Sequence, residues 1–171
     1  MIIIRSFIKM NILVTGANGQ LGSQMRVVAK ESGHNYIFTD VQELDITDYE
    51  AVCTMVEQSG INVIVNCAGY TDVEKAESEE DKAFKANAEA AAFLADAAAR
   101  HGATLIHIST DYVFDGQSGE PYGEDAEPAP LSAYGRSKLA GELAVLASGC
   151  RSIIIRTSWL YSPYGKNFVK T

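Results

Sequence analysis

The spacing with the clearest chemical use is Tyr134-Gly135-Arg136-Ser137-Lys138, a phenol and an ammonium four residues apart. On a helix such residues share a face, so the pair is either a general acid with a tuning cation or an ordinary surface pair worth a few tenths of a kcal/mol. A ketone that accepts hydride develops negative charge on oxygen and needs a proton donor near neutral pH. A free phenol titrates near about 10, too high for easy exchange, and a nearby cation favours the phenolate. Lys138 would supply that cation. Thr110, in His107-Ile108-Ser109-Thr110-Asp111, offers a hydroxyl that can bond and orient a substrate oxygen. His34, His101 and His107 lie at loop or strand positions without matching partners, so no histidine or cysteine triad competes.

A second group is Thr15-Gly16-Ala17-Asn18-Gly19-Gln20-Leu21-Gly22. Glycines between a first strand and a first helix let the backbone turn sharply and approach a pyrophosphate seated on the helix N-terminus. The spacing is G-x-x-G-x-x-G, a departure from the G-x-G-x-x-G fingerprint, and a tight turn without a ligand is the alternative. Asp40 closes the second strand. An acid there either bonds a ribose 2′-hydroxyl, which favours NAD over NADP, or caps the next turn. Asp45 and Ile46 can meet an adenine, or Asp45 or Thr47 can cap the following helix. Asn66-Cys67-Ala68-Gly69-Tyr70-Thr71 ends a third strand with small residues, which suits close approach of a cofactor or a plain turn.

These groups need a scaffold that gathers them. Short apolar runs at 11–15, 36–39, 63–66, 104–108 and 152–156 alternate with helical patterns at 20–31, 48–58, 79–100 and 133–146. Near-continuous apolar strands between helices predict a doubly wound, Rossmann-like parallel sheet in three α/β layers. The third helix is Ala-rich and stops at His101-Gly102. Ligands bind such sheets at the carboxyl ends of strands, where strand order reverses. An order of 3-2-1-4-5 would put that reversal between the first and fourth strands, with Ser109 and Thr110 facing the crevice. The long irregular stretch from Asp115 to Ser132 is more often functional than idle.

The 171 residues suit one domain, and a formal charge of −8 with scattered Lys and Arg disfavours nucleic acid or an anionic membrane as partner. Cys53, Cys67 and Cys150 are widely spread, which reads as reduced thiols in a cytoplasm. Residues 1–9 are a poor signal peptide and read as an extension ahead of a domain spanning 10–171.

The glycine turn, Asn66-Cys67-Ala68-Gly69, Ser109-Thr110 and Tyr134-x-x-x-Lys138 together resemble an extended short-chain dehydrogenase/reductase. Within it, YTDVEKAE (70–77), STDYVFDG (109–116), YGRSKLAGE (134–142) and RTSWLYSPYGKNF (156–168) are similar to the dTDP-4-dehydrorhamnose reductase family. The resemblance implies NADPH- or NADH-dependent reduction of the C4 ketone of dTDP-4-dehydro-L-rhamnose to dTDP-L-rhamnose. It carries over Thr110, Tyr134 and Lys138 as catalytic residues. Gly16, Asn18, Gly19, Gln20, Leu21, Gly22, Asp40, Asp45, Ile46, Ala68, Gly69 and Tyr70 would contact the dinucleotide, with Tyr134 and Lys138 at its nicotinamide end. Val73, Thr110, Asp111 and Trp159 would contact the dTDP-4-keto-6-deoxysugar, though Trp159 also reads as a core aromatic. Asn87 matches an asparagine that supports the lysine, or is a solvated helix residue. Some members bind magnesium through a glutamate after the last glycine. Here that stretch is Ser23-Gln24, so no metal is expected.

Family members continue well beyond Lys170-Thr171, so the resemblance implies a nearly complete dinucleotide domain without most of the substrate region. A homodimer is compatible with the sequence. A nucleotide-sugar dehydratase wants Asp-Glu after the catalytic threonine, where Asp111-Tyr112 stands. Another epimerase or reductase of the superfamily, and a non-catalytic dinucleotide-binding regulatory subunit, remain as alternatives.

Overall fold

A computed structural model describes residues 9–170. Residues 1–8 of the extension expected at 1–9 therefore lie outside the described residues. Five strands, β1 (Asn11–Thr15), β2 (Asn35–Phe38), β3 (Val63–Asn66), β4 (Thr104–Thr110) and β5 (Arg151–Thr157), form one parallel sheet. Among the described residues six α-helices accompany them: α1 (Gln20–Ala29), α2 (Tyr49–Gln58), α3 (Val73–Ala76), α4 (Glu80–Phe84), α5 (Ala90–His101) and α6 (Ala133–Ala147). The expected three-layer, doubly wound α/β architecture is present.

The strand order differs from expectation. The sheet runs β2-β1-β3-β4-β5, so the reversal falls between β1 and β3. The cause lies in residues 40–48, which turn instead of pairing: the amides of Glu43 and Leu44 both donate to the Asp40 carbonyl. One strand alone therefore extends beyond β1, and the chain crosses back to its other edge. Right-handed crossovers in opposite directions place their helices on opposite faces. Accordingly α2 packs through Val52 and Val56 with Leu94 of α5 against Leu13, Ile64 and Leu105. On the other face, Met25 of α1 packs on Ile12, Val14 and Val65. That second face is thinly covered near β5, where Ile153 and Ile155 are 53% and 41% exposed.

The helix expected over 79–100 is interrupted. Residues Lys85–Glu89 form a π-helical turn between α4 and α5, and the short α3 precedes them. The interruption turns Asn87 inward. Its side chain accepts from the Tyr70 amide (2.8 Å) and donates to the Tyr70 carbonyl and the Ser137 hydroxyl (3.0 and 2.9 Å). Asn87 is thus buried, not solvated. Gly141 of α6 meets the Asn87 carbonyl so closely that a Cβ would sit 2.2 Å from it. Farther on, Gly102 ends α5 in the left-handed conformation (φ 68°), as the sequence predicts.

Candidate functional site

The carboxyl ends of β1, β3, β4 and β5 open onto a cleft of about 900 Å3. Of the residues singled out in the sequence, Gly16, Asn18, Gly19, Gln20, Leu21, Asp40, Asp45, Ile46, Ala68, Gly69 and Tyr70 line it, and so do Val73, Thr110, Asp111, Tyr134, Lys138 and Trp159. Gly22 lies beneath the turn instead. There a Cβ would come within 2.3 Å of the Gly16 carbonyl and 2.5 Å of the Ala17 Cα. Gly16 has φ +62°, and a Cβ on it would lie 2.6 Å from the Ala68 amide nitrogen. The β1 turn and the strand end after β3 are therefore in backbone contact, with room for glycine alone.

No side chain caps α1 at Gly19. An uncapped helix start under a glycine turn presents free N–H groups and a positive dipole end, which suits a pyrophosphate. Asp40 braces the turn: one carboxylate oxygen accepts from the Asn18 amide and the other from the Val41 amide, both at 2.9 Å. Asp45 accepts from the amide and hydroxyl of Thr47, which hold its carboxyl below the usual range. Neither Asp45 nor Thr47 caps α2. Asp48 does, accepting from the Ala51 amide.

Beneath the cleft a buried polar layer crosses three strands. Thr15 donates to the Asn66 side-chain oxygen (2.7 Å), which also accepts from the Ala68 amide. That leaves the Asn66 amide nitrogen to donate to His107 Nδ1 at 3.1 Å, so the imidazole carries its proton on Nε2. Burial, assisted by the Lys138 charge, holds His107 down at about 3. Between about 3 and 6.5 the unfolded chain binds a proton that the folded chain refuses, so stability falls as pH drops through that window. The chain should be about 2 kcal/mol less stable at pH 5 than at pH 7 by urea titration. His107→Gln should abolish that slope, whatever it does to absolute stability; a retained slope would contradict the assignment.

The catalytic candidates meet at the end of β4. Ser132 caps α6 by accepting from the Gly135 amide (3.0 Å), and Glu77 accepts from the Ala133 amide (2.8 Å). Gly135 rests against the Tyr112 carbonyl with no space for a Cβ. This close approach brings the Tyr134 ring 5.5 Å from that of Tyr112 and its phenol beside the Thr110 hydroxyl. Thr110 itself accepts from the Tyr112 amide and donates to Asp111 (both 3.2 Å). Ser109 lines the cleft as expected, and its hydroxyl donates to Glu142 of α6.

The electrostatics reverse one expectation. Burial raises the Tyr134 pKa, the Thr110 hydrogen bond lowers it and the Asp111 and Tyr112 charges raise it, with a net upward shift. Lys138 is not the cation that lowers it. Its ammonium donates to the Ile108 carbonyl at 2.6 Å, and burial brings its own pKa down to about 8 against the pull of Glu142. Trp159 is no core residue: it is 73% exposed, in the left-handed region (φ 53°), with its ring edge on Phe168 at 4.9 Å.

Sequence reasoning missed Ser137, Glu142 and Arg156. Their signal was position: Glu142 lies one turn beyond Lys138, and Arg156 stands next to last in β5. The Arg156 guanidinium pairs with Glu142 at 2.6 Å and lies over Phe114 at 5.0 Å. Phe114 in turn stacks on Tyr122 of the long loop at 4.4 Å.

The profile of the RmlD substrate binding domain matches residues 10–171. A dTDP-4-dehydrorhamnose reductase of Aggregatibacter actinomycetemcomitans is 43% identical over 94% of this chain and 55% of its own length. One from Mycobacterium tuberculosis is 45% identical over 92% of this chain and 53% of its own. The chain spans about half the length of the curated relatives it matches. Among solved structures, a dTDP-4-dehydrorhamnose reductase from Clostridium acetobutylicum superposes with a TM-score of 0.92 at 48% identity, over 94% of this chain and 57% of that one. Another, from Bacillus anthracis in complex with NADP, gives 0.93 at 44% identity, over 95% and 58%. A chain with this cleft, matched over nearly all its length, belongs to the RmlD substrate binding domain family.

Proposed function

We propose that residues 10–171 form the dinucleotide-binding unit of an NAD(P)H-dependent reductase that converts the C4 ketone of dTDP-4-dehydro-L-rhamnose to the alcohol of dTDP-L-rhamnose. The observation that carries this reading is the convergence of Thr110, Tyr134 and Lys138 on the cleft that also holds the glycine turn. The cradle fits a dinucleotide because α1 starts uncapped at the cleft, under a glycine turn that packs tightly on the chain's own backbone at Gly16 and Gly22. Both relatives named dTDP-4-dehydrorhamnose reductase and the NADP complex of the Bacillus anthracis protein support it.

A bound reduced nicotinamide supplies the hydride. The chain's own residues do the rest. The α1 N-terminus, with the amides of Gln20 and Leu21, would hold the pyrophosphate, while Asp45 and Ile46 would hold the adenine end. Thr110 turns its hydroxyl proton from Asp111 to the ketone oxygen and fixes its direction. The raised pKa keeps Tyr134 protonated at neutral pH, the form a reduction needs, and the phenol passes its proton to the developing alkoxide. Lys138 holds the ribose hydroxyls and adds positive charge beside that oxygen. Val73, Asp111 and Trp159 face the sugar. Asp40 would repel a 2′-phosphate, so NADH should bind more tightly than NADPH.

The test is direct. This chain should bind NADH or NADPH in a fluorescence titration and turn over poorly. A version extended to the length of the relatives should consume the cofactor with dTDP-4-dehydrorhamnose. Absence of binding to the chain, or of consumption by the extended protein with either cofactor, would sink the proposal.

A further inference from the structure

Helix α6 turns two charged side chains into the protein. Lys138 is 6% exposed and Glu142, one turn later, 2%. They anchor to consecutive residues of β4. The Lys138 ammonium donates to the Ile108 carbonyl, and the Glu142 carboxylate accepts from the Ser109 hydroxyl. Arg156 of β5 is the register partner of Ser109 and donates through Nε and its terminal nitrogen to both Glu142 oxygens, at 3.0 and 2.6 Å. The next residue along β4 is Thr110. One buried carboxylate thus ties together the lysine helix, the strand that ends in Thr110 and the strand beyond it.

A clamp alone does not require a charge. Burying an ion pair costs desolvation that well-packed apolar side chains avoid. The charge has a use in the setting of Lys138. Three titratable groups on the surrounding elements are neutral near pH 7: His107 of β4 is held at about 3, the Cys67 thiol after β3 is pushed up to about 12 by burial, and Tyr134 on the same helix is raised. Asp111 acts on Tyr134 at the cleft mouth. Glu142 is the charge that opposes the desolvation of Lys138, and Arg156 shares that carboxylate from β5.

We propose that Glu142 is a positioning residue of the reductase site, which seats Lys138 against the end of β4 and keeps its ammonium charged. The functional stretch then runs one helical turn past the Tyr134–Lys138 pair. The proposal rests on the reductase reading, since a charged Lys138 matters through the nicotinamide ribose and the developing alkoxide.

The experiment is an NMR titration of the Lys138 side chain in this chain, assigned by comparison with Lys138→Arg. Lys138 should titrate near 8 in the parent. In Glu142→Gln, which keeps the shape and an acceptor, the midpoint should fall by about one unit. In Arg156→Gln, which frees the carboxylate for Lys138, it should rise. Should Glu142→Gln fail to fold, the Arg156→Gln titration decides alone. In the extended protein, the acid-to-base midpoint of the kcat profile should move with the NMR value while KM stays within about twofold. An unmoved Lys138 midpoint in a folded Glu142→Gln that still binds NADH overturns the proposal. A moved midpoint in a chain that binds no dinucleotide overturns the reductase reading and supports the Glu142–Lys138 coupling.

Discussion

Tyr134→Phe should cut turnover of the extended protein by about a hundredfold or more, the range lost with a positioned general acid, while NADH binding stays within about twofold. The substitution is unusually clean here. The Tyr134 ring rests edge-on to Tyr112 and packs beside Ala76, Ala83 and Ala133, all of which a phenylalanine ring can keep. What disappears is one hydroxyl beside Thr110. Because burial already holds that phenol protonated at neutral pH, its proton is available over the whole working range below its raised pKa. Single-turnover measurement of cofactor oxidation, beside a fluorescence titration for binding, separates the two effects. Turnover unchanged in the variant would remove Tyr134 from the acid role, and a parallel loss of binding would make it a cofactor contact instead.

The second large effect is expected at Gly22→Ala. The added Cβ would lie 2.3 Å from the Gly16 carbonyl oxygen and 2.5 Å from the Ala17 Cα. These are backbone atoms of the turn itself, so no rotamer change relieves the clash. Either α1 slides along its axis or the turn opens. We expect a loss of about 3 kcal/mol in a urea titration and at least a tenfold weaker affinity for dinucleotide. Gly119→Ala is the control: a Cβ there meets nothing within 4 Å, so stability should stay within about 0.5 kcal/mol. A Gly22→Ala chain as stable as the control would mean that the turn is looser than its geometry states.

Much of this arrangement was legible before the structure. The bounds of β1 and β3 follow from apolar runs flanked by turn residues, and the stop of α5 from Gly102. The cleft residues gather because strand ends of a parallel sheet share one edge. The strand order was not legible, since an apolar run records burial but not the direction in which the next crossover moves. Nor was the direction of the Tyr134 shift, because a spacing of four places a cation nearby without saying that Ile108 claims it. Glu142 escaped notice for a related reason: α6 is apolar on most sides, so no amphipathic contrast marks which of its charges point inward. Trp159 was ambiguous because an aromatic after a strand carries no sign of whether anything covers it.

The π turn at Lys85–Glu89 has an evolutionary consequence. One extra residue there puts α4 and α5 about 100° out of phase with each other. Deleting a residue from this turn would not merely shorten the helix. It would rotate either the Tyr70-facing segment or the α6-facing segment away from its partner, and Asn87 could no longer reach Tyr70 and Ser137 together. Point substitutions can drift along the rest of this helix, but a change of length across 85–89 cannot be made in small steps. Such a bulge behaves as a fixed gear tooth, and alignments of related chains should show gaps on either side of it and none within.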